Sequence, residues 1–221
     1  MNDELERFLA NARGTAATAK IRRLDELHAD ARGAGAIDAR WGLGALRGRL
    51  VELSARGASA VLTAAVELVI EAQSEGEPVA WLAPGTGTFY PPDVADSGVD
   101  LAALVVVRAR DLAALARAAE RVLRSGAFGL VVLELGAPAE LPTASQGRLV
   151  TLAQTHDAAV VCLTEKSPDA ASLGSLISLR AEALRARGDG DFAITVRALK
   201  DKRRGPGWTH ATRRRGPAGL V

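Results

Sequence analysis

The residues with the clearest chemical meaning lie where a buried strand would pass into a helix. The mainly apolar segment 50–53 predicts a short buried strand, and apolar side chains at helical spacing from Leu62 to Ile70 predict the helix. Backbone N–H groups at a helix N-terminus favour an anion, so such a turn can hold a phosphate. A phosphate loop also needs glycines, a lysine and a hydroxyl that binds Mg²⁺. The intervening segment ARGASAVL has one glycine, no lysine, and no hydroxyl at the required place. It predicts the scaffold of a nucleotide site without its chemistry.

Other residues that could perform chemistry are few. The single cysteine, Cys162, excludes an internal disulfide, and its apolar surroundings predict a buried thiol in a reducing cytoplasm. The three histidines are scattered and show no metal-ligand spacing. The sequence PGTG at 84–87 invites a nucleotide-loop interpretation, but no third glycine completes the motif, and Pro91-Pro92 oppose an immediate helix start. We therefore predict no catalytic residue, no metal and no cofactor.

The composition predicts one α/β domain with extensions. The chain has 221 residues, of which 48% are hydrophobic and only 4% aromatic, so the core must consist of Ala, Leu and Val. Apolar strands at 50–53, 79–82, 104–107 and 158–163 alternate with helical segments, which indicates parallel βαβ units with helices on both faces. One such helix is expected to be capped by Asp111 and stopped by Gly126. We expect no membrane span, because no apolar run reaches the necessary length, and no signal peptide, because MNDELERF is acidic and amphipathic.

Two ends of the chain differ from this body. Residues 1–35 are predicted to form a helical arm whose apolar positions Leu5, Phe8 and Leu9 serve either packing or contact with a partner or a second copy. At the other end, segments 175–183 and 192–199 alternate apolar and polar residues around an RGDG turn, which indicates a closing antiparallel hairpin. The core domain would then span residues 36–206.

Residues 207–221 are predicted to form a basic, flexible tail because of their prolines and glycines. Between positions 197 and 215 there are eight basic residues and one acid, in a chain whose net charge is only +2. Trp208, between two basic clusters, would be free to stack on a base. Three interpretations stay open: a solubility tail, docking on an acidic partner, and non-specific contact with single-stranded DNA. The residues proposed for DNA or partner contact are Lys200, Lys202, Arg203, Arg204, Trp208, Arg213, Arg214 and Arg215.

The stretch RLVELSARGASAVLTAAVELVIEAQSEG resembles the ATP-binding strand, loop and helix of the RecA recombinase family. In that register Ala55 and Ala60 stand at the loop glycines, Val61 at the phosphate lysine and Leu62 at the magnesium-binding threonine. SGAFGLVVLELG resembles the family's Walker B strand and places Glu134 at its aspartate. We interpret Glu134 as a strand-end residue, with a metal role as the alternative. The resemblance implies a RecA-like core with a degenerate ATP site and shortened DNA-binding loops.

Within this superfamily the chain resembles the ImuA family. The segments that carry the resemblance are GALRGRLVEL, PVAWLAP, SGVDLAALVVVR, AAERVLRSGAFGLVVL and, at the end of the core, KDKRRGP. That resemblance implies a cytoplasmic, non-catalytic accessory protein of DNA-damage-induced translesion synthesis and mutagenesis. Its partners would be ImuB, a DnaE-type error-prone polymerase and RecA itself. The alternative is a recombinase paralogue that binds or hydrolyses ATP at an atypical site.

Overall fold

The computed structural model describes residues 41–57, 59–137, 139–188 and 191–215. In this part of the chain eight strands form one sheet: β1 Arg49–Ala55, β2 Val79–Pro84, β3 Leu104–Ala109, β4 Leu130–Gly136, β5 Ala159–Glu165, β6 Leu179–Arg187, β7 Asp191–Asp201 and β8 Thr209–Arg215. The α-helices are α1 Leu43–Leu46, α2 Val61–Ser74, α3 Pro92–Ala95, α4 Leu112–Arg124 and α5 Thr143–Thr155. A 3-10 turn, Leu101–Ala103, precedes β3.

The strand order in the sheet is β3-β2-β4-β5-β1-β6-β7-β8. Neighbours from β3 to β6 are parallel, whereas β6–β7 and β7–β8 are antiparallel. The predicted α/β class, with a mostly parallel sheet and a closing antiparallel hairpin, is confirmed. The carboxyl ends of β1, β2, β4 and β5 meet along one edge, which is where open α/β sheets bind ligands.

Helices cover both faces of the parallel strands. Val51 and Leu53 of β1 join the cluster of buried side chains beneath α1 and α2, whereas Leu50 joins the cluster beneath α4 and α5. Because the central strands β1, β2, β4 and β5 are buried on both sides, their sequences are nearly continuous apolar runs rather than alternating ones. This explains why the central strands were recognisable from sequence, and it makes the few charged side chains inside them conspicuous.

The predicted limits of α4 are confirmed. The Asp111 carboxylate accepts a hydrogen bond from the backbone N–H of Ala114 at 2.6 Å, which satisfies one of the free donors of the first turn. Gly126 follows the helix with a φ of 69°, a left-handed conformation that glycine adopts without steric cost. The hairpin is shifted from its prediction, because β6 starts at Leu179, after a turn at residues 175–176.

The described part of the predicted flexible tail, residues 207–215, differs from its prediction, and residues 216–221 lie outside the residues that the structure describes. Gly205 and Gly207 have φ angles of 79° and 95°, so the chain reverses direction in a tight turn rather than continuing as a linker. It returns as β8, which pairs antiparallel with β7 from Thr209 to Arg215. Threonines favour a pleated strand, and β7 offered a free edge for it.

Two further predictions concern the limits of the molecule. The proposed N-terminal arm, with Leu5, Phe8 and Leu9, lies outside the residues that the structure describes. Within the described residues, no helix combines the length and the apolar character needed to cross a membrane.

Candidate functional site

The turn between β1 and α2 has the predicted strand-loop-helix geometry. The strand ends at Ala55 and the helix begins at Val61, with Ala60 buried at the junction. Val61 is half-buried and packs against the core beneath α2, whereas Leu62 is 39% exposed. Both positions are apolar, so they offer neither a cation for phosphates nor an oxygen for Mg²⁺. The exposed Arg56 and the Ser59 hydroxyl lie in the turn itself, but neither occupies the position of the phosphate lysine or of the magnesium-binding threonine.

Glu134, near the carboxyl end of β4, is 8% exposed and accepts three hydrogen bonds. Its Oε1 accepts from the backbone N–H of Thr88 at 2.6 Å and from the Thr88 hydroxyl at 2.9 Å. Its Oε2 accepts from Trp81 Nε1 at 3.4 Å. Three protein donors therefore converge on the carboxylate that occupies the Walker B position of the resemblance. Among the described residues, no group of three or more His, Cys, Asp or Glu side chains could hold a metal ion.

The loop that supplies Thr88 lies across the carboxyl ends of β2 and β4. Phe89 stacks on Trp81 with ring centroids 3.9 Å apart and an interplanar angle of 15°. From β3, the Arg108 guanidinium donates to the carbonyl oxygens of Gly87 and Phe89. A Cβ added at Gly87 would lie 2.8 Å from the Cβ of Ala83. The glycine of the PGTG sequence thus allows close packing of this loop, which explains it without a nucleotide.

A buried carboxylate that the sequence pattern did not single out lies in the middle of β1. Glu52 is fully buried, and its oxygens accept from the Thr164 hydroxyl at 3.0 Å and from the backbone N–H of Leu173 at 2.8 Å. The ammonium of Lys166 lies 3.1 Å from Glu52 Oε1, and Arg180 Nε lies 4.0 Å from Oε2. The available signal was a glutamate inside an otherwise apolar strand, because a buried charge must find partners. Glu52 and its cations anchor residues 166–173.

These anchored residues form one wall of a cleft of about 630 Å³. The cleft lies beyond β4 and β5, between the N-termini of α4 and α5. It is lined mainly by apolar groups, with Lys166 as its one cationic residue among the described residues: Leu112, Ala113, Ala139, Glu140, Leu141, Pro142, Thr143, Lys166, Ala171, Ser172 and Leu173. Because Lys166 is already paired with Glu52, the cleft offers an apolar surface rather than a strong anion site.

Trp208 is not free to stack on a base. Its Nε1 donates to Asp201 Oδ2 at 3.1 Å, and its ring packs against the core beneath α2. Asp201 in turn pairs with the Arg49 guanidinium at 2.5 Å. The prediction of a stacking tryptophan is therefore not supported by its position. A half-buried tryptophan that closes a turn is a structural residue here.

The basic residues predicted as one tail are divided between two ends of the antiparallel strands. Four of these residues lie where β7 ends: Lys200, Lys202, Arg203 and Arg204. The Lys202 ammonium donates to the carbonyl of Ser175.

Arg213 and Arg214 lie at the other end of β7, which is about 30 Å away along an 11-residue strand. Arg213 pairs with Asp191 at 3.1 Å and Arg214 with Glu67 at 2.8 Å. Arg215 is the last residue of β8. Partial burial, followed by repulsion from Arg49, lowers the pKa of the Arg203 guanidinium.

Comparison with known proteins adds no assignment to this geometry. No protein-family model matches the sequence, and the search of curated proteins found no match.

Proposed function

We propose that this chain is a non-catalytic, RecA-like accessory protein that acts through contacts with other proteins. The observation that carries the proposal is the state of Glu134, whose carboxylate receives three hydrogen bonds from Thr88 and Trp81. A magnesium-nucleotide site needs a carboxylate free to hold the metal shell, together with a lysine and a hydroxyl in the phosphate loop. Here the carboxylate is occupied and the loop positions are Val61 and Leu62.

The order of elements also supports a RecA-like core. The segments that resemble the ImuA family fall on β1, β2, β3 and β4, separated by helices, and the closing hairpin follows β5. On this basis the protein would work in the cytoplasm, in DNA-damage-induced translesion synthesis and mutagenesis. Its partners would be ImuB, a DnaE-type error-prone polymerase and RecA. Residues 1–35, with Leu5, Phe8 and Leu9, are the segment we assign to partner contact or self-association.

The absence of nucleotide chemistry is tested by isothermal titration of the full chain with ATP and Mg²⁺, and by a phosphate-release assay. We expect no saturable heat at micromolar ATP and no turnover above that of a mock preparation. Micromolar binding, or turnover that disappears when Glu134 is replaced by Gln, would establish the rival function, an ATP-binding recombinase paralogue with an atypical site.

The partner role is tested by pull-down of ImuB, the DnaE-type polymerase and RecA from the same organism. Full-length protein should retain at least one of them, and a variant lacking residues 1–30 should retain less while keeping its circular dichroism spectrum. A second variant with Leu5, Phe8 and Leu9 replaced by Ala keeps the length and charge of the arm, and it should also retain less, because these side chains are the proposed contacts. Failure to capture any of the three partners would reject the proposal.

A further inference from the structure

The outer end of the β6–β7–β8 sheet carries a row of three side chains on one face. Arg187 of β6 lies directly opposite Phe192 of β7, and Phe192 lies opposite Arg214 of β8. Residues that are opposite each other on neighbouring strands project from the same face of a sheet. The aromatic ring is therefore flanked by an arginine on each side, with strand spacings of about 4.8 Å.

A third arginine completes this cluster. Arg185 is two residues before Arg187 and shares its face, and its guanidinium carbon lies 5.3 Å from the centroid of the Phe192 ring. Arg185 and Arg187 are exposed, and Phe192 is half-buried. We call Arg185, Arg187, Phe192 and Arg214 the arginine–phenylalanine cluster.

The cluster projects beyond the parallel sheet. The pairing of β6 with β1 ends at Glu182, so residues 183–187 pair only with β7. At about 3.4 Å per residue, this part of the hairpin extends about 17 Å past the last residue of β6 that pairs with β1. The exposed side chains of Arg185 and Arg187 at the end of this extension are accessible to a long polymer, while Arg214 lies against Glu67 of α2.

The arginines are held in place without being neutralised as a group. Glu67 of α2 accepts from Arg214 through Nε at 2.8 Å, and the Arg214 side chain remains 52% exposed. On the opposite face Arg213 pairs with Asp191 and is 77% exposed. By sequence, this end of the hairpin carries five arginines (185, 187, 213, 214 and 215) and two aspartates (189 and 191), and Glu67 of α2 lies against it. The net charge of the hairpin end is therefore positive.

We propose that the arginine–phenylalanine cluster is a binding site for single-stranded nucleic acid. Guanidinium groups bind phosphates with two parallel hydrogen bonds, and the half-buried Phe192 ring is the surface on which an unpaired base would stack, beside or in place of the Arg185 guanidinium that lies over it. An acidic protein would use the arginines but would have no use for the ring. The arginines are assigned to phosphates and the ring to stacking, and neither contact reads a base edge, so the expected binding is independent of sequence.

This inference does not depend on the proposed function, because it requires neither a nucleotide site nor a protein partner. It also moves the nucleic-acid contact away from Trp208 and from residues 200–204. Arg185, Arg187 and Phe192 were not among the residues singled out by the basic composition of the C-terminal segment. They lie in a hairpin that was recognised in the sequence by its alternating apolar residues.

The test is fluorescence anisotropy with a labelled oligothymidylate and the full chain, titrated over a series of salt concentrations. The parent protein should bind at low salt, with an affinity that falls as salt rises. The R185A/R187A variant removes two phosphate contacts and should reduce the log–log salt slope by about 1.4. The F192L variant keeps an apolar side chain but loses the ring, and should bind roughly fivefold or more weakly.

The matched control is R117A/R121A, which removes two exposed arginines from α4 and should bind as the parent does. Circular dichroism verifies that each variant is folded, and R185A/R187A carries the test if F192L is destabilised. No binding at low salt, or equal losses in the control and the hairpin variants, would overturn the proposal. Binding of polyglutamate as tight as that of the oligonucleotide would instead indicate an acidic protein partner and would also reject it.

Discussion

Arg49 and Asp201 form a buried ion pair that joins β1 to the end of β7. The distance from Arg49 Nη2 to Asp201 Oδ1 is 2.5 Å, and the two side chains are 2% and 0% exposed. Arg49 Nε also donates to the Ser178 hydroxyl at 2.9 Å, and Asp201 accepts from the backbone N–H of Arg203 and from Trp208. The pair thus links the beginning of β1, the turn before β6 and the turn before β8. Loss of this pair should therefore destabilise the antiparallel half of the sheet.

The first prediction concerns the energy of this pair. Replacement of Asp201 by Ala leaves the Arg49 charge buried without its partner, and we expect the free energy of unfolding to fall by about 3–5 kcal/mol. Urea unfolding measured by circular dichroism provides the value. The double variant R49M/D201L removes both charges and should recover much of the loss. If D201A loses no more stability than an ordinary surface substitution does, the pair is not important for stability.

The second prediction concerns pH. Burial raises the pKa of Asp201, but hydrogen bonds from the Arg203 backbone and from Arg49 outweigh it, and the pKa lies below its ordinary value. A carboxyl whose pKa is lower in the folded state stabilises the fold fully above its unfolded pKa of about 3.9, and this contribution is lost as pH falls through the folded pKa. The parent should therefore lose more stability than D201N between neutral pH and acid below about 3.9. Parallel curves of unfolding free energy against pH would contradict the assignment.

The third prediction concerns the loop held by Glu134. Replacement of Glu134 by Ala leaves three donors on Thr88 and Trp81 without their acceptor, and should cost about 2 kcal/mol. Hydrogen exchange of the Thr88 amide should become faster, because this bond protects it. Glu134→Gln keeps one acceptor oxygen and should have an intermediate effect. Unchanged protection of Thr88 in the alanine variant would show that another group holds the loop.

The fourth prediction concerns Trp208. Because its ring packs on the core and its Nε1 donates to Asp201, Trp208→Ala should reduce the free energy of unfolding by about 2 kcal/mol or more. Trp208→Phe retains the packing and loses only the hydrogen bond, so it should cost about 1 kcal/mol. A thermal unfolding curve of the alanine variant that overlays the parent would restore the view of this residue as part of a free tail.

The fifth prediction concerns the lone cysteine. Cys162 is completely buried in β5, and burial, with the nearby Glu52 carboxylate, raises the pKa of its thiol far above the usual range. Only the thiolate is a strong nucleophile, so the native protein should not react with Ellman's reagent. One thiol per chain should react at once in denaturant. Rapid reaction of the native protein would mean that β5 opens frequently to solvent.

The sequence predicted those parts of the fold that depend on local pattern. The apolar run that became β5 and the cap at Asp111 were recognisable because continuous burial and a short polar cap have local signatures. The segment after Pro206 was misjudged because glycines and prolines serve tight turns as well as linkers. What decided between them was the free edge of β7, which is a property of the assembled sheet.

The candidate site was likewise predictable only where its features are local in the sequence. The missing lysine and hydroxyl at Val61 and Leu62 were visible in the sequence. The partners of Glu134 were not, because Thr88 reaches it from a loop 46 positions away along the chain. The row of Arg187, Phe192 and Arg214 depends on strand register, and a shift of one residue would place neighbouring side chains on opposite faces.

The position of β1 has a consequence for how the chain acquires its structure. The earliest strand of the sheet lies between β5 and β6, both of which are synthesised late. During translation both edges of β1 therefore stay unpaired until β5 and β6 have been synthesised. Pairing β1 with these strands closes long chain loops, which slows folding. Chains that terminate before Ala159 expose an apolar strand with no partner on either side, and they should aggregate or be degraded rather than accumulate as a stable fragment.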